Sequence, residues 1–371
     1  MSSTESKARG FSLIELLVAM ALGLIVMAAT TQLFKNGMDA TILVSQTSEM
    51  QQNARATLNL IAKDVSMAGS GLPSGGMALP NGGGATVSLF GVDPAKTWLA
   101  NNGYPAGTVG GVAVPNFLFG IIPGPANGIE KGGPATITAT GKGSDAITAI
   151  YADYAFPLNQ YIATFPAANP NGDVVNFAPP VVPPAGFPAI QSSTGLQVGD
   201  LILLTNPAGS AVGEITGIAA GVAGSTNVTF ANGDPLKMNQ SGATKGNIKA
   251  LIAGGAPVAT RIWAVTYFIE VPAAATLQPP RLMRQVNGQP ASPVADNIIN
   301  LQVTYDLCDG TNGPNCSGVA NPLLAPFSPT QIHKVNIQIM GQTLSSYGRS
   351  RSTVLATSVS TRSLSFKDRY N

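Results

Sequence analysis

Few side chains in this 371-residue chain can do chemistry, and their scarcity narrows its function. His333 is the only histidine, and Cys308 and Cys316 are the only cysteines. That excludes a zinc finger, a metal centre with several imidazoles and an iron–sulfur site held by four thiolates. A Ser-His-Asp triad would need His333. It begins a strand in parity with Val335 and Ile337, without a partner motif, and reads as a structural, partly buried side chain. Gly69-Ser70-Gly71 lacks the strand–turn–helix setting of a nucleophile elbow. No Gly-rich stretch ends in the Lys-Ser/Thr of a phosphate loop. Asp306, Asp309 and Asn312 could hold Ca²⁺ in a short loop, but the spacing fits no EF-hand, and a solvated turn is the better reading. Arg349, Arg351, Arg362, Lys367 and Arg369 cluster late in the chain without an aromatic platform, which reads as a solvated face. With a net charge of +2, no nucleic-acid partner is expected. No catalytic residue, metal ligand or cofactor is expected either, and the chain reads as non-enzymatic.

Two chemical features remain. Cys308 and Cys316 bracket Asp309-Gly310-Thr311-Asn312-Gly313-Pro314-Asn315, all turn formers, so their Cα atoms can approach disulfide range. Free thiols or a two-thiolate metal site are the alternatives, although two Cys without His make a poor zinc site. The second feature is Glu15. It is the only charge in the run from Phe11 to Phe34, FSLIELLVAMALGLIVMAATTQLF. About 20 apolar residues span a bilayer as one helix. The break signal precedes this run rather than following it, the wrong order for a removed secretory signal. Lys7 and Arg9 on the amino-terminal flank place that end in the cytoplasm, while Lys35 and Asp39 cancel beyond it. The rest of the chain then faces the periplasm or exterior, where an even pair of Cys reads as a bridge.

A carboxylate inside an apolar helix costs several kcal/mol unless paired. Glu15 is either a carboxyl near the membrane surface, protonated or snorkelling, or it has a cation partner. No Lys or Arg lies within the segment. A cut between Gly10 and Phe11 would supply one, because the new α-amine of Phe11 sits one turn from Glu15. In an assembly, the same carboxylate could meet the α-amine of a neighbouring subunit.

Lys7-Ala8-Arg9-Gly10 followed by Phe11-Ser12-Leu13-Ile14-Glu15-Leu16-Leu17-Val18 resembles the type IV prepilin leader and amino-terminal helix. The resemblance implies cleavage by prepilin peptidase after Gly10, N-methylation of Phe11, and insertion in the inner membrane through residues 11–34. It also implies extraction into a filament of major and minor pilins by the inner-membrane assembly machinery, so the chain ends at the pilus and cell surface. Many type IV pilins carry a helix-breaking Pro in this segment; none occurs here between Phe11 and Leu72.

The elements that would position these residues read as a long helix and a β-rich domain. Ala54, Leu58, Ile61 and Val65 recur at helical spacing, with Gln51, Gln52, Arg55, Asn59 and Lys63 on other faces. Met67-Ala68-Gly69-Ser70-Gly71-Leu72-Pro73 is a stop signal. The expected division is a leader over 1–10, a helix over 11–68 and a β-rich domain over 69–371. The helix is membrane-spanning over 11–34 and amphipathic over 35–68. Charged residues are only 10% against a usual figure of roughly 25%, with 42 Gly and 28 Pro, so long loops are expected over 69–140 and 157–190. Strand patterns cover 145–151, 200–205, 211–218, 227–230, 261–270, 299–305 and 335–339, with 200–230 forming a small antiparallel subdomain. The expected fold class is α+β, a long helix packed on an antiparallel sheet.

The patches 147–151, 198–204, 261–270, 280–284 and 296–305 resemble PilW-type minor pilins. That resemblance implies a structural role in initiating pilus assembly or at the pilus tip. A pseudopilin of a type II secretion system and a tip adhesin are the alternative readings.

Overall fold

The computed structural model describes residues 11–73, 76–78, 108–109, 112–113, 117–125, 129–131, 143–167, 171–192, 194–234, 236, 238–239, 248–272, 278–307, 316–322, 327, 329–344 and 350–361. Leu13–Met67 form one helix of 55 residues, about 80 Å long at 1.5 Å per residue. It begins at Ser12 and stops where the Gly pair makes continuation unfavourable: Gly69 and Gly71 take φ +80° and +70°. The chain leaving the helix is stitched to the sheet below. Gly69 N–H donates to the carbonyl of Ile150 at 2.8 Å, and Ala152 N–H to that of Ser70 at 2.8 Å. A Cβ at Gly71 would overlap Tyr154 and Ala152, so this close crossing needs glycine.

The strand Val258–Val271 is the spine of the largest sheet. Two strands share each of its edges. Leu201–Asn206 pairs along 258–262 and Arg281–Val286 along 265–270; on the other side Ala146–Asp153 pairs along 261–267 and the parallel Ile129–Lys131 along 269–271. Hairpin partners Gly209–Glu214 and Ser292–Asp296, together with Ile121–Gly124, complete it. Both faces are covered. Val265, Tyr267 and Ile269 point into one core, while Ile262, Ala264 and Phe268 point into another. Ala146–Asp153 and Leu201–Asn206, which flank the spine, accordingly read as largely apolar runs.

The carboxy-terminal sheet has the order Cys316–Val319, Ile298–Leu307, Ile332–Leu344, Ser350–Ser360, all antiparallel. Its inward residues Leu301, Val303, Tyr305, Val335, Ile337 and Ile339 meet the helix and the central sheet in one core. The helix contributes Ala54, Leu58, Ile61 and Val65 to that core, the stripe its spacing predicts. At Gly341 a Cβ would press on the side chain of Met50, so the helix and strand meet closely there.

A third sheet, Ile162–Thr164, Val174–Ala178, Thr226–Thr229 and Gly217–Ala220, covers a separate core with Phe156, Tyr161 and Phe177. The expected strand 211–218 is in fact two. Ile215 and Thr216 leave the central sheet, Thr216 N–H donates to Thr229 at 2.9 Å, and Gly217 starts a strand of the third sheet. The expected subdomain over 200–230 is likewise split: Leu201–Asn206 and Gly209–Glu214 belong to the central sheet through Val258–Val271. The α+β class of a long helix on antiparallel sheets holds.

Candidate functional site

The site is the helix itself, because its two halves meet different surroundings. From Phe11 to Glu49 no residue is buried, and Phe11, Leu13, Leu33 and Phe34 are each more than 70% exposed. An apolar helical surface of this length is far beyond the few hundred Å² that a soluble monomer exposes. By length and composition this is the helix among the described residues that can cross a membrane. From Met50 to Ala68 the same helix is docked, with Met50, Ala54, Thr57, Leu58, Ile61, Asp64 and Val65 buried.

The exposed half starts with a reciprocal cap. Ser12 is the N-cap in extended conformation. Its hydroxyl accepts from Glu15 N–H at 3.2 Å, and the Glu15 carboxylate accepts from Ser12 N–H at 2.9 Å. Two of the four orphan N–H groups at the helix start are satisfied this way. The carboxylate also complements the positive end of the helix dipole. Both residues lie beyond the Gly10–Phe11 junction, so the cap survives a cut there.

The docked half ends in a polar lock. Asp64 is 3% exposed. It accepts from the Tyr151 hydroxyl at 3.0 Å and the Tyr267 hydroxyl at 2.6 Å. Arg284 reaches the same carboxylate through Nε at 3.1 Å and Nη2 at 3.0 Å. Three strands thus hold one helix residue. Burial, reinforced by the Asp64 charge, pushes both phenols well above their ordinary range. For Arg284 burial acts the other way, but Asp64 and Tyr267 together outweigh it and the guanidinium is held more firmly charged.

Residues 6–31 match the prokaryotic N-terminal methylation motif. That match supports a type IV pilin-like protein, a pilin or pseudopilin substrate of prepilin peptidase. The motif covers Gly10, Phe11, Ser12 and Glu15 and implies processing by that peptidase, membrane anchoring through the helix, and assembly with other pilins. No curated protein and no solved structure matches the chain.

The other sequence candidates fall apart in the fold. His333 sits in the Ile332–Leu344 strand, half-buried, with Nδ1 lacking a hydrogen-bond partner and its carbonyl taken by Thr361 N–H. Gly69-Ser70-Gly71 is the turn closing the helix. Asp306 is used up inside its own sheet: it accepts from Gly318 N–H at 3.0 Å and Asn336 Nδ2 at 2.9 Å, and pairs with Lys334 at 3.2 Å. Burial opposes its charge, but those partners win and hold the carboxyl below the usual carboxylate range. Arg351 is exposed on the Ser350–Ser360 strand. Lys7, Arg9, Gly10, Cys308, Asp309, Asn312, Arg349, Arg362, Lys367 and Arg369 lie outside the described residues. Cys316 opens its strand opposite Leu307, the residue that precedes Cys308 in the chain.

Sequence reasoning missed both the cap and the lock. Ser12-x-x-Glu15 is a capping-box pattern and could have been read as one. Asp64 falls in the helical stripe three residues after Ile61 and one before Val65, a spacing that marks a buried acid. Its partners Tyr151, Tyr267 and Arg284 come from distant strands, and nothing local announces them.

Proposed function

We propose that this chain is a PilW-type minor pilin, structural and non-enzymatic, that initiates type IV pilus assembly or sits at the pilus tip. In this reading residues 1–10 are a leader removed by prepilin peptidase between Gly10 and Phe11, and Phe11 is N-methylated. Residues 11–34 cross the inner membrane, 35–68 carry the domain, and 69–371 face the periplasm until extraction to the cell surface. The observation that carries the reading is the exposed apolar stretch of the helix from Phe11 to Phe34, within and beyond a leader that fits the methylation motif. Such a surface needs lipid or neighbouring helices around it.

Glu15 then pairs in the filament with the α-amine of a neighbouring pilin, leaving its cap to do so. In the periplasm Cys308 and Cys316 form a disulfide. The Leu307–Cys316 pairing brings the chain at Cys316 beside the residue that precedes Cys308; the bridge itself rests on an even pair of Cys in an oxidising compartment. A type II secretion pseudopilin carries the same amino-terminal motif and is the second reading. The intact mass of the mature, unreduced protein tests the site residues together. It should correspond to a chain starting at N-methylated Phe11 and two hydrogens lighter than the dithiol form. A start after Ala28 or Ala29 would sink the pilin reading, and the full dithiol mass would sink the bridge. A gene deletion that abolishes surface pili in electron micrographs supports the minor-pilin role; intact piliation with lost secretion gives the pseudopilin.

A further inference from the structure

At the far end of the central sheet, Glu214 and Asp234 bring two carboxyl groups into the protein interior. Glu214 is the last residue of the Gly209–Glu214 strand and is wholly buried; Asp234 is 3% exposed on the loop that follows the third sheet. Of their four side-chain oxygens, three accept from a backbone N–H. Leu236 N–H donates to Glu214 Oε2 at 2.9 Å. Met238 and Asn239 N–H donate to the two Asp234 oxygens at 2.6 and 2.9 Å. The Asn239 side chain clamps the Glu214 backbone in both directions, at 3.0 Å from its N–H and 2.7 Å to its carbonyl. Glu214 Oε1 is the exception: buried against Gly288, it has no donor.

We infer that Glu214 and Asp234 share a single proton, and that this O–H···O⁻ bond latches the 231–239 loop onto the central sheet. The Glu214 carboxyl keeps its proton and donates it to Asp234, which gives Oε1 the hydrogen-bond partner it otherwise lacks. Two ionised carboxylates so close and so deeply buried would repel without compensation. A metal ion fits the place less well. Ca²⁺ takes six to eight oxygen ligands, whereas Leu236 and Met238, both buried, pack the loop into an apolar core here. Among the described residues Asp234 is the charged group acting on Glu214. Asp200, just before the neighbouring strand Leu201–Asn206, is instead engaged by Gln197 N–H at 3.0 Å and lies 3.9 Å from Arg261. Burial, then the bond with Asp234, push the Glu214 carboxyl up to about 9, with Leu236 N–H opposing.

The sign of the pH effect follows. A carboxyl whose folded pKa is raised holds its proton in the latched state and loses it when the latch opens. The stability it adds is fully present below the ordinary Glu value near 4.3 and declines as pH rises, until it is gone above about 9. Loss of the proton frees the loop and exposes Leu236 and Met238. Neutral to alkaline surroundings therefore loosen this end of the domain.

Hydrogen exchange on the full-length chain in detergent micelles tests this, read on the peptide covering 231–239 at several pH values and normalised to intrinsic exchange. Glu214→Gln replaces the shared proton with a permanent amide donor to Asp234. Protection of this peptide in the wild type should fall by about tenfold per pH unit, relative to Glu214→Gln, between about 5 and 9. Asp234→Asn should shorten the profile without abolishing it: burial still raises the Glu214 carboxyl, but without Asp234 the fall in protection should end at a lower pH. Parallel profiles for wild type and Glu214→Gln, or an Asp234→Asn profile that coincides with wild type up to its upper end, would overturn the shared proton. So would a gain in wild-type protection on adding Ca²⁺ that a chelator reverses, since that identifies a metal between the carboxylates.

Discussion

Glu15 and Asp64 are acidic residues on one continuous helix, and they differ in how much of their bonding capacity is committed. Glu15 sits on the exposed half and, among the described residues, bonds to Ser12 within its own first turn. Asp64 sits on the docked half and is held by Tyr151, Tyr267 and Arg284 from three strands. A carboxylate engaged only by its own turn is free to change partners at little cost. One engaged by three donors in a buried setting is fixed, because each donor would be stranded by its departure. The helix thus separates an assembling end from a folding end, with the change near Met50.

The harshest test of that separation is truncation. A chain starting near residue 36 should be soluble, folded and monomeric, because it keeps Met50–Ala68 over the shared core. A chain starting near residue 69 loses that cover, exposing the inward faces of both sheets, and should aggregate. Sedimentation velocity on the two proteins checks this. Equal behaviour would mean that the docked half is dispensable and the comparison is false.

Next in size is Asp64→Ala, measured by denaturant unfolding of the residue-36 chain. It leaves Arg284 and two buried phenols without their acceptor and should cost about 3–5 kcal/mol, the usual loss when one partner of a buried pair is removed. Asp64→Asn retains an acceptor for the hydroxyls and should cost less. A loss below about 1 kcal/mol for Asp64→Ala, the scale of an exposed pair, would show that the lock is ornamental.

Much of this architecture was legible because it is local. The absence of Pro from Phe11 to Leu72, the stripe Ala54-Leu58-Ile61-Val65 and the Gly69/Gly71 stop specify the helix almost to its ends. Alternation at Leu301, Val303 and Tyr305 marks a strand with one face in the core. What escaped depends on partners far away in sequence. Ile215-Thr216 carries no breaker residue, so its change of sheet follows from which strand edge is vacant, not from its own side chains. Ser350–Ser360 is rich in Ser, Thr and Ala, none of whose side chains is fully buried, so its membership rests on pairing along Ile332–Leu344. Asp64 follows Lys63 and looks like half of a surface pair until Tyr151 and Tyr267 arrive from the sheet. The Glu15 signal was legible as a charge out of place, while its bond to Ser12 went unread.

The smallest predicted effect probes the other end of the helix. Ser12→Ala removes the hydroxyl that accepts from Glu15 N–H at 3.2 Å and leaves that N–H without an intrahelical partner. Loss of such a cap costs about 1 kcal/mol. The cost should be confined to the first turns, because some 38 residues separate Ser12 from Met50, about 57 Å of helix. Hydrogen exchange in micelles should therefore speed up several-fold over residues 13–17, while amides of the docked half and the sheets keep wild-type rates. The substitution also leaves the Glu15 carboxylate with one fewer tie to its own turn, so incorporation into filaments should survive Ser12→Ala and fail in Glu15→Ala. If Ser12→Ala instead slows exchange nowhere, speeds it in the sheets and abolishes incorporation, then the two ends of the helix are coupled and the division near Met50 does not exist. If it leaves residues 13–17 unchanged, the reciprocal cap contributes nothing, and Glu15 is held at the helix start by the dipole alone.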